Sequence, residues 1–94
     1  MYNKYMKISF DPNKNGINLQ KHGISLEMAS NLEWNTAMTW KDTRFDYGEE
    51  RYSSLVIMAN RLYFVAFTER TDGIRIISLR KANFLEVKFY EENS

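Results

Sequence analysis

The run Leu62-Tyr63-Phe64-Val65-Ala66-Phe67 constrains the fold more than any other part of the chain. Six successive apolar and aromatic residues leave no polar face, so a strand built from them needs cover on both sides and belongs mid-sheet. Arg51 to Met58 reads as the strand before it, joined to Leu62–Glu69 through Ala59-Asn60-Arg61, a connection of hairpin length. Thr71-Asp72-Gly73 supplies the next turn and Ile74 to Arg80 the last strand. Ile8 to Phe10 and the Thr- and Trp-rich segment from Thr36 to Trp40 add two shorter strands.

Helices are marked by their ends. Asp11 offers an acceptor to orphan amides, Pro12 has no amide to satisfy, and the helix they open runs to about His22, where Gly23 can close it. Its interior is weak: Asn15 and Gly16 disfavour helix and Ile17 and Leu19 are its only aliphatics, so packing must hold it in place. Ser25 caps a second short helix to about Glu33, with Ile24 and Ala29 at hydrophobic-staple positions and Leu26, Ala29 and Leu32 facing the core. Asn83 and Glu86 have the spacing of a capping box and open a short amphipathic helix through Tyr90. The sum is an α+β domain, N-terminal helices packed on a small, mostly antiparallel sheet with a short C-terminal helix.

A chain of 94 residues makes one domain, and its ordinary share of charged and apolar residues argues against disorder. Its formal net charge of +1 gives no global attraction to nucleic acid, so such contact must come from charges gathered on one face. Basic residues concentrate at Lys14, Lys21, Arg70, Arg75, Arg80 and Lys81, and acids between Asp42 and Glu50 and at Glu91-Glu92, which predicts a basic patch opposite an acidic turn. The absence of cysteine excludes disulfides, thiolate metal sites and a cysteine nucleophile. No apolar run approaches the ~20 residues of a membrane span, and Met1-Tyr2-Asn3-Lys4-Tyr5 lacks the apolar stretch of a signal peptide, so the expected location is cytoplasmic. A lone histidine and dispersed carboxylates form no recognisable metal ligand set, and the isolated glycines form no phosphate loop. No cofactor is expected.

Chemistry on a phosphodiester without a metal would need a base for a hydroxyl, cations for the phosphate and an acid for the leaving oxygen. Lys14, Asn18 and Lys21 fall on one helical face, either a phosphate-facing stripe or a solvated surface, with His22 at its edge. His22 titrates near neutrality and suits proton transfer, or it caps the helix end. Arg75 and Arg80 can grip phosphate, but their odd separation sends them to opposite faces of a regular strand. Arg75 could instead pair with Glu69, which is either a general base or an orienting partner. The charged stretch Asp42 to Arg51 reads as a surface ion-pair network around a turn at Gly48. Trp34, Trp40, Tyr47 and Tyr52 could stack on bases, although aromatics at strand positions more often face a core.

Phe10-Asp11-Pro12, Lys14, Asn18, Lys21-His22-Gly23, Asp46-Tyr47-Gly48-Glu49, Thr68-Glu69-Arg70 and the run Ile74 to Ala82 together resemble the BrnT family of bacterial toxins. Ala59-Asn60-Arg61 departs from the family's usual glycine-containing turn, and Leu79 stands where a small residue is common. The resemblance begins near Met6, which leaves residues 1–5 as an extension or a start-site choice. It implies a RelE-like ribonuclease with His22, Glu69, Arg75 and Arg80 as catalytic candidates and Lys14, Lys21, Arg70 and Lys81 as RNA contacts. It also implies neutralisation by a cognate BrnA-like antitoxin, with operator DNA bound only through the antitoxin complex. The alternative is a degenerate, non-catalytic toxin that serves as an antitoxin-binding module in transcriptional autoregulation.

Overall fold

A computed structural model describes residues 6–94; the reading of residues 1–5 as an extension lies outside the described residues. Along the chain come β1 (Lys7–Phe10), α1 (Pro12–His22), a 3-10 helix (Leu26–Asn31), β2 (Glu33–Asp42), β3 (Arg51–Met58), β4 (Arg61–Arg70), β5 (Gly73–Lys81) and α2 (Phe84–Asn93). The strands form one sheet in the order β1-β5-β4-β3-β2, with β1 parallel to β5 and every other pair antiparallel. The architecture is α+β, and β4 takes the central place that its two-sided apolar sequence demands. Ala59 and Asn60 turn β3 into β4 with φ of 50° and 63°, the positive pair whose twist suits a two-residue hairpin. Gly73 admits β1 alongside β5, because a Cβ there would run into the backbone of Lys7.

One face of the sheet carries the core. Val56, Met58, Val65, Phe67, Ile74, Ile76 and Leu79 meet Leu26, Ala29 and Leu32 from the segment between α1 and β2. Trp34 stands edge-on to Phe67 at 5.8 Å and donates its indole N–H to the Ala29 carbonyl at 3.1 Å, so the ring is buried with its polar atom satisfied. The second predicted helix proves to be a 3-10 helix that ends at Asn31, and β2 starts at Glu33 rather than Thr36. Leu26, Ala29 and Leu32 recur every three residues, which is the 3-10 period as much as an α-helical face. Thr36 then bridges an irregularity in β2, its hydroxyl accepting from the Ile57 N–H at 3.0 Å.

Helix α1 lies along the sheet edge rather than over a face. Asp11 caps it through the Asn13 N–H at 2.8 Å, and Gly23 closes it at φ 71°. Packing does hold this weak helix, but polar side chains supply the anchor, since Ile17 and Leu19 are exposed. β1 accompanies β5 only as far as Ile76; beyond it the buried Asn18 amide donates to the Leu79 carbonyl at 2.8 Å and accepts from the Leu79 N–H at 3.1 Å. Asn18 thus makes the two bonds a neighbouring strand would make, and it also donates to the Ile24 carbonyl at 2.9 Å. Asn15, unfavourable for the helix, accepts from the Leu26 N–H at 2.7 Å and ties the next segment down.

The capping box of α2 forms as expected between Asn83 and Glu86. The amphipathic reading of α2 does not hold: none of its side chains is buried, and Phe84, Leu85 and Phe89 are exposed because its apolar residues are spread around the helix. It is fixed by point contacts, Tyr90 donating to the Thr36 carbonyl at 2.6 Å and Phe89 meeting Trp40 at 6.5 Å.

Candidate functional site

Pairing within β5 settles where its arginines point. Phe67 faces Ile76 and Ala66 faces Ser78, so Ile77 is an extra residue, a β-bulge that resets the alternation of side chains. Arg75, paired with Thr68, and Arg80, paired with Phe64, therefore share the face opposite the core despite their odd separation. Arg51, one residue before the Tyr52–Phe67 pair, continues the row across β3.

At this end of the second face lies a cavity of about 160 Å³. Asp11 and Lys14 reach it from the start of α1, Glu49 and Arg51 from the start of β3, Thr68 and Arg70 from β4, and Arg75 to Ile77 from β5. Lys14, Arg51, Arg70 and Arg75 outnumber the carboxylates Asp11 and Glu49, so the lining is net positive. Glu49 stands between two of the cations, 3.5 Å from Arg70 Nη1 and 3.9 Å from Arg51 Nε. The longer distance exceeds a hydrogen bond. Among the described residues, Arg51 Nε and Thr68 Oγ1 are buried with no hydrogen-bond partner, a cost of about 1–3 kcal/mol for each such group. A phosphate oxygen accepts from both kinds of donor and removes that cost.

The charged stretch before β3 is a built loop. Asp42 accepts from Arg44 Nε at 3.0 Å, Arg44 Nη2 at 2.9 Å, the Arg44 backbone N–H at 3.1 Å and the Tyr47 hydroxyl at 3.1 Å. These donors, Arg44 foremost, hold its carboxyl well below the usual carboxylate range. Gly48, at φ 75°, donates to Asp46 Oδ1 at 3.0 Å and turns the chain back into β3. The Arg51 guanidinium carbon then sits 4.0 Å from the centroid of the Tyr47 ring, so the loop orients a cation of the cavity. The acidic turn is therefore beside the basic residues, not opposite them: Glu49 belongs to both.

The remaining candidates divide among other places. His22, the last residue of α1, is half-buried; burial first, then the charges of Lys21 and Arg80, push its pKa below the ordinary histidine value. It lies roughly 12 Å along the helix from Lys14 at helical rise. Arg80 is bound bidentately by Glu86 at 2.8 and 2.9 Å and lies 4.3 Å above the Phe64 ring, which ties β5 to α2. Glu69 projects on the core side of the sheet with its strand neighbour Phe67, near Tyr52, whose pKa is raised by Glu50 first and by Glu69 after it. Lys21 is exposed on α1, and Lys81, paired with Tyr63, extends on the core side. Asn18 is not part of a phosphate-facing stripe, because it is buried against Leu79.

Sequence reasoning gave Arg51 and Thr68 no role at the site. Their signal is a cross-strand row with Arg75, and that row exists only once register is known. Among the described residues no group of three His, Asp or Glu converges where a metal ion could sit. No helix among them is long and apolar enough to cross a membrane.

Comparison with curated proteins found no match. The family model of BrnT, described as the ribonuclease toxin of a type II toxin-antitoxin system, matches residues 10–86. That span takes in the whole cavity lining, from Asp11 to Ile77.

Proposed function

The chain belongs to the BrnT family of ribonuclease toxins of type II toxin-antitoxin systems, and we propose that it is a RelE-like endoribonuclease that cleaves RNA in the cytoplasm without a metal. The observation that carries this reading is the basic cavity in which, among the described residues, a buried guanidinium N–H and a buried hydroxyl lack a hydrogen bond beside Arg75 and Lys14. Arg51, Arg75 and Thr68 hold the non-bridging oxygens of the scissile phosphate and stabilise the charge they gain. Glu49 accepts the proton of the 2′-hydroxyl as its oxygen bonds to phosphorus. The bond from phosphorus to the 5′-oxygen breaks, and Lys14 returns a proton to that oxygen. The products are a 2′,3′-cyclic phosphate and a free 5′-hydroxyl. His22, whose pKa is lowered by burial first and then by Lys21 and Arg80, stands at the far end of α1, where the next nucleotide passes. Arg70 and Lys21 add sequence-independent attraction to the backbone.

A cognate BrnA-like antitoxin neutralises the toxin by covering this surface, and the pair reaches operator DNA through the antitoxin. The test is incubation of the purified chain with a defined RNA and a chelator, followed by analysis of the new ends. A cyclic phosphate with a 5′-hydroxyl is the expected result. Ends carrying a 5′-phosphate, or activity abolished by the chelator, would overturn the mechanism. Induction without antitoxin should arrest bacterial growth, whereas a non-catalytic antitoxin-binding module would leave growth unchanged.

A further inference from the structure

Phe45 lies outside the hydrophobic core, on the loop between β2 and β3. It is 67% exposed, yet the loop that carries it is among the most tightly bonded in the molecule, with Asp42 fixing Arg44 and Tyr47 on either side of it and Asp46 fixing Gly48 just beyond. What sets this ring apart from other exposed apolar side chains is a braced loop and a place beside the basic cavity. Its ring stands edge-on to Tyr47 at 5.8 Å, the Tyr47 ring carries the Arg51 guanidinium at 4.0 Å, and the Arg44 guanidinium is 5.9 Å from the Phe45 centroid. A continuous ladder of aromatic and guanidinium planes thus leads from the cavity to the exposed ring.

We propose that Phe45 is the stacking platform for a nucleobase of single-stranded RNA whose phosphate occupies the Arg51 cavity. The inference rests on the ribonuclease reading and adds to it the seat of the base. Within one nucleotide the base and its phosphate are tethered at short range, so an anchored phosphate delivers the base to a nearby flat apolar surface. Only an unpaired base has a free face to offer, which selects single strands over duplex. Stacking on a phenyl ring is tolerant of base identity, so Phe45 contributes affinity and strand selectivity more than a sequence code. Arg44 stiffens the platform and adds a second plane against which a flanking base can lie.

The test uses a single-stranded 2′-O-methyl RNA oligonucleotide, which lacks the attacking hydroxyl, and the same strand with abasic sugars, both followed by fluorescence anisotropy. Phe45→Ala should weaken binding of the base-bearing strand by roughly tenfold and leave the abasic strand unchanged. Phe45→Trp should restore binding, with tryptophan emission quenched on addition of the base-bearing strand alone. Equal affinities of Phe45→Ala and the parent for the base-bearing strand overturn the platform, while binding of the abasic strand that still depends on Arg75 leaves the phosphate site standing. Abasic binding indifferent to Arg75→Ala overturns the phosphate site and the anchored stack with it.

Discussion

The two faces of the sheet are finished to different standards. On one, Val65, Phe67, Ile76 and Leu79 are fully buried beneath Leu26 and Ala29, and the polar atom of Trp34 is paired. On the other, α2 buries none of its side chains and leaves an apolar hollow of about 410 Å³ between Trp40, Leu55, Leu85 and Phe89, while the far end holds Arg51 and Thr68 atoms with no hydrogen bond among the described residues. A domain this small has little stability to spare. Concentrating it on the face away from the cavity allows the other face to carry donors without hydrogen bonds.

The contrast predicts mutations that separate stability from activity. Phe67→Ala removes the ring at the centre of the packed face and should cost about 3–5 kcal/mol, read as a large fall in the denaturant midpoint. Arg75→Ala, on the open face, should raise the activation barrier for RNA cleavage by ~2–4 kcal/mol while the midpoint barely moves. A variant at Arg75 that unfolds as readily as one at Phe67 would break the division between the faces. Asn18→Ala lies where they meet, at the sheet edge. It strips both partners from Leu79, each worth about 1–3 kcal/mol if left unmet, with cleavage per folded molecule preserved. Asp11→Ala is the mildest, losing a helix cap worth about 1 kcal/mol; because Asp11 also lines the cavity, a fall in activity beyond that in stability would give it a second role.

The charges sharpen the same comparison through pH. Asp42 and Glu86 titrate below their ordinary values, held down by Arg44 and Arg80 respectively, so each binds fewer protons folded than unfolded. Their contribution is complete above the ordinary carboxylate range and is lost as acid titrates them through the lowered folded values. His22 is also lowered, so protonation favours the unfolded chain, and stability should decline as pH falls below about 6.5. With Glu49 and Lys14 carrying the proton transfers, His22→Gln should leave the pH profile of kcat/KM unchanged, and loss of an acid limb in that variant would assign His22 a proton instead.

Much of this fold is legible in the sequence because its signals are local. The two-sided run of β4, the Asp11-Pro12 helix start and the Asn83–Glu86 box each act over a few residues, and all appear as read. What the sequence hides is non-local. The bulge at Ile77, which brings Arg75 and Arg80 to one face, depends on how β5 pairs with β4. Asn18 reads as a polar residue on a basic stripe, yet its role is set by a strand end 61 residues away. The site was half visible for the same reason: Lys14, Arg70 and Arg75 are conspicuous as cations, whereas Arg51 and Thr68 become site residues only through strand register and burial.

Asn18 carries a consequence for how the chain behaves in company. A sheet has two borders, and each exposed border is a template for another chain to extend. Here β1 forms one border and pairs with β5 as far as Ile76, and the Asn18 carboxamide takes the ladder position beside Leu79 beyond it. One side chain therefore closes the stretch of β5 that β1 leaves uncovered. Loss of that amide should make the protein prone to self-association at concentrations where the parent stays dispersed, with the new contact running along the outer half of β5.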